Sequence, residues 1–261
     1  VDFSDTYHNG NVVMAIRSEE RSTGFIDGMK ENFEKTFIRE SRWKILVKGI
    51  GNTIFITLCA AALGTALGFG LYMLSRAWGR PVLMAAKVYT RIMAGTPIVV
   101  VLMILFYVIF GSSGIDGIWV AIMAFTLTVG ASVYNNLSVS IASVDMGQSE
   151  AAYALGYGRS KTFFRIVLPQ AMHPFMPFYQ SELVSLIKGT SVVGYIAVED
   201  LTKMSDIIRS STYEAFFPLI CTALIYFSLI SLIWFAMGKV KILFEPKKRK
   251  REAVLKGVEI K

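Results

Sequence analysis

Five apolar windows divide this chain, four of them uncharged: Gly49–Ser75, Ile92–Ile115, Gly117–Val144, about Met176–Val198 (which holds Glu182 and Lys188), and Ala215–Gly238. Each is compatible with the roughly 20 residues that a helix needs to cross a hydrocarbon core. The fourth is interrupted, because Ile166–Ser181 holds three prolines, so its spanning part is expected to begin near Met176. Ahead of the first window, residues 1–47 are polar and mixed in charge. Val12–Ile16 there fits a strand, and Phe25, Met29, Phe33 and Phe37 recur every four residues as one helical stripe. Such a stripe packs on a neighbour or lies at a membrane interface. The pattern predicts an all-α membrane protein: an extracytoplasmic segment at 1–47, five transmembrane helices within 48–240, and a basic cytoplasmic tail at 241–261.

The basic residues set an orientation. With the N-terminus outside, the cytoplasmic side holds Arg76, Arg80, Lys87, Arg91, Arg159, Lys161, Arg165 and the tail run Lys247, Lys248, Arg249, Lys250 and Arg251. The outer side holds only Arg39, Arg42, Lys44, Lys48, Lys203 and Arg209 near the membrane. Cytoplasmic loops are enriched in Lys and Arg, so the chain reads as N-out, C-in, with Trp43 at headgroup level. The polar stretch Glu150–Pro169 then lies in the cytoplasm.

Composition narrows the function classes. Of 261 residues, 54% are hydrophobic, and the mean hydropathy is +0.51; a soluble enzyme is excluded. The net charge of +8 resides at membrane edges and in the tail. It suits anionic lipid rather than nucleic acid. Cys59 and Cys221 lie inside apolar runs, as packing thiols do. His8 and His173 are isolated, so no metal site is expected. No phosphate-binding G-x-x-x-x-G-K-[ST] loop occurs, and no nucleophile–base constellation was found. The reading is a non-catalytic membrane protein that binds no cofactor directly.

The stretch EAAYALGYGRSKTFFRIVLP, Glu150–Pro169, separates two of the windows. Ala151, Ala152 and Ala154 favour helix and keep its surface low enough for another helix or a groove to approach. Gly156 and Gly158 supply a turn. Pro169 is expected to end the module and set the angle of the next helix. Read as E-A-A-x3-G-x9-I-x-L-P, the stretch places Glu150, Ala151, Ala152, Gly156, Ile166, Leu168 and Pro169 on a signature that resembles the EAA motif of ATP-binding-cassette importer permeases.

The resemblance extends further. Tyr89–Val101 (YTRIMAGTPIVVV) is similar to the R-G-T-P stretch of the polar amino-acid subfamily, with Ala94 in place of the arginine. Gly147–Ala171 resembles that subfamily through the flanking G-Q and P-Q-A, and Lys188–Ser191 (KGTS) resembles its K-D-T-S. About 190 residues, from Trp43 to Tyr226, fit its five-helix core. The third window departs: Ser132, Asn135 and Ser138 stand where the subfamily carries G-A-Y…E…R, which puts the solute class in doubt.

The resemblance implies that Glu150, Ala151, Ala152, Gly156, Arg159, Ile166, Leu168 and Pro169 form short coupling helices that dock on an ATPase subunit. ATP and Mg would be handled by that ATPase dimer. A second permease copy or paralogue and an extracytoplasmic amino-acid-binding protein would complete an import system in a bacterial cell membrane. GFIDGMKENFEKTFIRESRW and SVVGYIAVEDLTKMSDIIRS also resemble fused receptor–permease proteins. Val1–Ser41 is therefore expected to be the end of a receptor domain and its helical tether.

Candidate solute contacts follow from charge inside apolar segments, which is expensive and marks transport pathways. Glu182 and Lys188 are the only ionisable residues between Arg165 and Glu199, apart from His173. Six positions apart, they sit about 120° apart around a helix. Ser181, Ser185 and Lys188 share one stripe, with Glu182 on its shoulder. Asn135 and Asn136 join the candidates, and the competing role for all of them is polar glue between helices. Two other function classes fit the composition, a stand-alone secondary transporter or channel and a receptor scaffold. The former would not need the Glu150–Arg165 stretch, and the latter would not need Glu182 and Lys188.

Overall fold

A computed structural model describes residues 25–244. The strand expected at Val12–Ile16 and the basic tail fall outside the described residues. Within them every element is helical.

Helix α1, Phe25–Phe33, runs on through Ile38 and ends where Glu40 and Ser41 adopt φ of 58° and 52°. Its stripe is only partly covered: Phe37 is buried with Leu46, Leu201 and Ile208, whereas Phe33 is half-exposed against Phe217. Helix α2, Trp43–Trp78, has 36 residues. At 1.5 Å per residue it is about 54 Å long, well beyond a hydrocarbon core of roughly 30 Å. Its buried face carries Thr53, Ile56, Ala60, Gly64 and Gly68, one helical turn apart, and lies along α5, Gly117–Ala142. A Cβ on Gly64 would sit 2.7 Å from Val129, and one on Gly68 would sit 2.6 Å from the Gly130 carbonyl. The backbones approach this closely because small residues line the seam, as in helix pairs within lipid.

Helix α5 is the most enclosed span, with Val120, Ala121, Val129, Val133 and Leu137 in the core. It starts where the Asp116 carboxylate accepts a hydrogen bond from the Ile118 N–H at 2.9 Å. Around it stand α3, Arg80–Gly95, and α4, Ile98–Met103, which continues helically to Ile109. Between them the chain turns by 106°. The second window is therefore not the straight span that Ile92–Ile115 suggested. Pro97 disfavours helical backbone in the residue before it, and Thr96 is accordingly extended at φ −110°, ψ 125°.

After α6, Met146–Ala154, and α7, Arg159–Thr162, the chain stays helical through Phe163–Val167 into α8, Leu168–Gly189. Pro174 and Pro177 lie inside α8, so the helix itself begins ahead of Met176, where the spanning part was expected to start. Each proline removes one N–H, but in apolar surroundings the remaining backbone groups have no better partner than their own helix. A tighter turn, Thr190–Ile196, leads through Ala197 at φ 59° to α9, Leu201–Thr212, inclined 55° to the preceding helix. Helix α10, Phe216–Phe244, closes the fold with most of its apolar surface uncovered. By length and composition, three helices can cross a membrane, or up to five if each bent pair forms one span.

Candidate functional site

The Asp145 carboxylate caps α6 by accepting from the Gly147 N–H at 2.8 Å. Around the helix, Ala152 is buried while Glu150 and Ala151 face outward. The turn after it closes through Gly156 N–H to Tyr153 O at 2.9 Å and Tyr157 N–H to Ala152 O at 3.0 Å. Gly156 adopts φ +80°, a region that costs an L-residue about 1–2 kcal/mol. A Cβ there would meet nothing within 4 Å, so glycine is required by conformation and not by space. Arg159 is exposed, and Lys161 Nζ lies 4.2 Å from the centre of the Tyr157 ring. Ile166 and Leu168 are half-buried and Pro169 is exposed. Pro169 lies just past the point where the helical Phe163–Val167 stretch passes into α8, and the helix runs through it unbroken, so it does not end the module.

The segment turns an apolar surface outward. Met146 and Leu155 are 79% and 78% exposed, and Tyr153 and Phe164 are exposed as well. Beneath, it is pinned by Thr162 and Phe163, both buried. The Arg76 guanidinium carbon lies 4.4 Å from the Phe163 ring centre, Tyr72 stacks on the same ring at 6.4 Å, and Tyr134 of α5 lies 6.1 Å beyond Tyr72. The sequence reading missed this anchor and assigned Arg76 only to the membrane edge. The available signal was Tyr72 and Arg76, four apart on one helical face, together with an aromatic pair inside a basic segment.

The candidate solute contacts do not converge. Glu182, half-buried, lies beside Ser132 of α5. Ser185 and Lys188 point to the other side of α8, lining a cavity of about 400 Å³ with Gln180, Ser181 and Trp234 of α10. Asn135 borders a different cavity of about 630 Å³, with Lys87, Thr90 and Arg91 of α3. Asn136 is half-buried and lines neither. The separation follows from helix geometry: neighbours are about 100° apart around the axis, and residues six apart about 120°.

A polar hub at the opposite end of α2 was not anticipated. Asp200 is fully buried; its carboxylate accepts from the N–H groups of Thr202 at 3.0 Å and Lys203 at 2.9 Å. The Tyr226 hydroxyl of α10 donates to it at 3.4 Å and also pairs with the Thr202 hydroxyl at 2.9 Å. From α2, Asn52 donates to the Glu199 carbonyl at 2.8 Å, Thr53 accepts from the Leu201 N–H at 3.1 Å, and Lys48 pairs with the Glu199 carboxylate. An Asp immediately before an amphipathic run was the visible cue. Among the described residues no cluster of three or more His, Cys, Asp or Glu could hold a metal ion, and Cys59 and Cys221 are free thiols.

Residues 43–241 match the family described as "Binding-protein-dependent transport system inner membrane component". The chain is 33% identical over 196 residues to the arginine transport system permease protein ArtQ of Bacillus subtilis (strain 168), covering 74% of this chain and 89% of that protein. It is 34% identical to the L-cystine transport system permease protein TcyB of the same organism, covering 68% of this chain and 76% of that one. A crystal structure of an amino acid ABC transporter with histidines superposes with a TM-score of 0.69 at 26% identity, covering 86% of this chain and 98% of that chain.

Proposed function

The chain belongs to the family of binding-protein-dependent transport system inner membrane components, and from that premise we propose that it is the permease subunit of an ATP-driven amino-acid importer. It is a non-catalytic membrane component, and ATP is hydrolysed by a separate ATPase subunit. Members of the family work with that ATPase and with a substrate-binding protein. The amino-acid assignment is supported by relatives named for arginine and cystine transport.

In this reading each bent pair is one span, giving five in all, with the N-terminus outside and the C-terminus inside. Residues 1–47 precede the permease body at 48–240, and 241–261 form the cytoplasmic tail. The ATPase acts as a dimer and handles ATP and Mg, a second permease copy or paralogue faces this one, and a receptor is fused upstream. Glu182, Ser185, Lys188, Asn135 and Asn136 contact solute along a path completed by the second permease, which accounts for their dispersal in one chain.

The observation that carries the coupling role is the outward apolar surface of the 146–165 segment, held rigidly from beneath. The ATPase would cover Met146, Leu155 and Phe164, with Glu150, Ala151, Ala152, Gly156, Arg159, Ile166, Leu168 and Pro169 shaping the docking helices. ATP closure would move this segment and switch access, provided the two states bind solute unequally.

Purification of the tagged chain from its native membrane should bring down an Mg-ATPase whose turnover is stimulated by one or a few amino acids. Gly156→Asp should abolish uptake while leaving insertion intact, because it combines the backbone cost at φ +80° with a carboxylate facing the partner. Gly156→Ala, bearing the backbone cost alone, should retain part of the uptake. Normal uptake by Gly156→Asp would overturn the docking role, and the absence of any copurifying ATPase would overturn the importer reading.

A further inference from the structure

The ring of Phe163 sits where the docking segment meets the body of the protein. It is 2% exposed, with the Arg76 guanidinium carbon 4.4 Å from its centre and Tyr72 stacked on it at an interplanar angle of 20°. Tyr72 and Arg76 are one turn apart at the inner end of α2, and Tyr72 continues to Tyr134 of α5 at 6.1 Å. Three elements thus meet at one aromatic column: the segment leading into α8, the long α2, and the enclosed α5.

We propose that Phe163, held by Arg76 and Tyr72, is the positioning residue through which movement of the docking segment is passed to α2. This rests on the reading of residues 150–169 as the ATPase-contacting segment and adds the route by which its displacement reaches the membrane helices. The geometry suits transmission better than simple cover. A guanidinium over the ring and a phenol stacked on it hold Phe163 by two separate contacts to α2, both of which a displacement of the buried ring would disturb. Helix α2 continues without interruption from Arg76 to the hub at Lys48, Asn52 and Thr53, which holds residues 199–201. A displacement applied at Phe163 therefore arrives at the far end of the protein along a single helix.

The test uses the complex purified through a tag on this chain and reconstituted into liposomes. It reads ATP hydrolysis, copurifying ATPase, and uptake of a radiolabelled amino-acid mixture. Arg76→Met keeps bulk at the site but removes the cation, and Phe163→Leu removes the ring. Each is expected to retain the ATPase in wild-type amount and to keep hydrolysing ATP, while solute moved per ATP falls at least fivefold. Arg76→Lys, which keeps a cation over the ring, is expected to restore at least half of the wild-type ratio. An unchanged ratio in Arg76→Met with the ATPase bound would overturn the proposal and leave the docking reading intact. Loss of the ATPase from Arg76→Met would also overturn it, because the clamp would then serve docking rather than transmission. If Phe163→Leu is not recovered folded, the Arg76 pair decides alone. Failure of the wild-type chain to bring down any ATPase would instead count against the docking reading itself.

Discussion

Replacing Asp200 by alanine removes the acceptor for two N–H groups at the start of α9, those of Thr202 and Lys203. Substitution of a capping residue by alanine costs about 0.5–2 kcal/mol. Asp200 is fully buried, so water does not readily replace the carboxylate, and each stranded donor adds to the upper part of that range. The Tyr226 hydroxyl is spared, because it keeps the Thr202 hydroxyl at 2.9 Å. The expected loss is about 2–3 kcal/mol. At roughly 2–4 °C per kcal/mol, the scale for soluble domains of similar size, this lowers the unfolding midpoint by about 4–12 °C. Asp200→Asn retains one acceptor and Asp200→Ser caps nearly as well as Asp, so each should cost less than about 1 kcal/mol. Thermal unfolding of the purified chain in mild detergent, followed by circular dichroism, measures all three. Amide exchange at Thr202 and Lys203 should accelerate in the alanine variant before the rest of the chain responds. The reasoning fails if Asn and Ser are as damaging as Ala, since charge rather than capping would then hold the hub. It also fails if Ala is harmless.

Two further outcomes follow from the packing and from the charge inside α8. Gly68→Ala places a methyl 2.6 Å from the Gly130 carbonyl and should destabilise by about 1–3 kcal/mol, whereas Gly70→Ala, with nothing within 4 Å, should be neutral or stabilising by up to about 1 kcal/mol; equal midpoints for the two would refute the close α2–α5 seam. Glu182→Gln should weaken uptake of cationic amino acids roughly tenfold or more, the equivalent of one charge-assisted hydrogen bond, while leaving assembly unchanged; an unaltered solute profile would return Glu182 to a role in helix packing with Ser132.

Helices α2, α5 and α10 were legible in the sequence because each is a long apolar run that serves as a single element. The break between α3 and α4 was harder to read. A hydropathy window adds contributions without regard to direction, so Gly95, Thr96 and Pro97 register as apolar enough while turning the chain by 106°. In α8 the local signal pointed the other way. Pro174 and Pro177 suggested a boundary, but within a packed apolar environment the helix survives the loss of two donors. The turn and low helix face of residues 150–169 were recognisable from the sequence, since a turn at Gly156 and alanines on one helix face are local properties. Phe163 and Asp200 were not recognised, because their importance lies in Arg76, Tyr72 and Tyr226, which are remote in the chain. The solute candidates were chosen by residue type alone, and residue type does not say which side of a helix faces which neighbour.

The turn at Thr96–Pro97 also bears on hydration. In the five-span reading proposed above, α3 and α4 form one broken span and two helix termini fall at membrane depth, where hydrocarbon offers no hydrogen bonds. The Thr96 hydroxyl satisfies one of them by donating to the Ile92 carbonyl at 2.8 Å, and Pro97 has no N–H to satisfy. The other carbonyls at the end of α3 need a wet surface, and Ala94 and Gly95 line the same cavity as Lys87, Arg91 and Asn135.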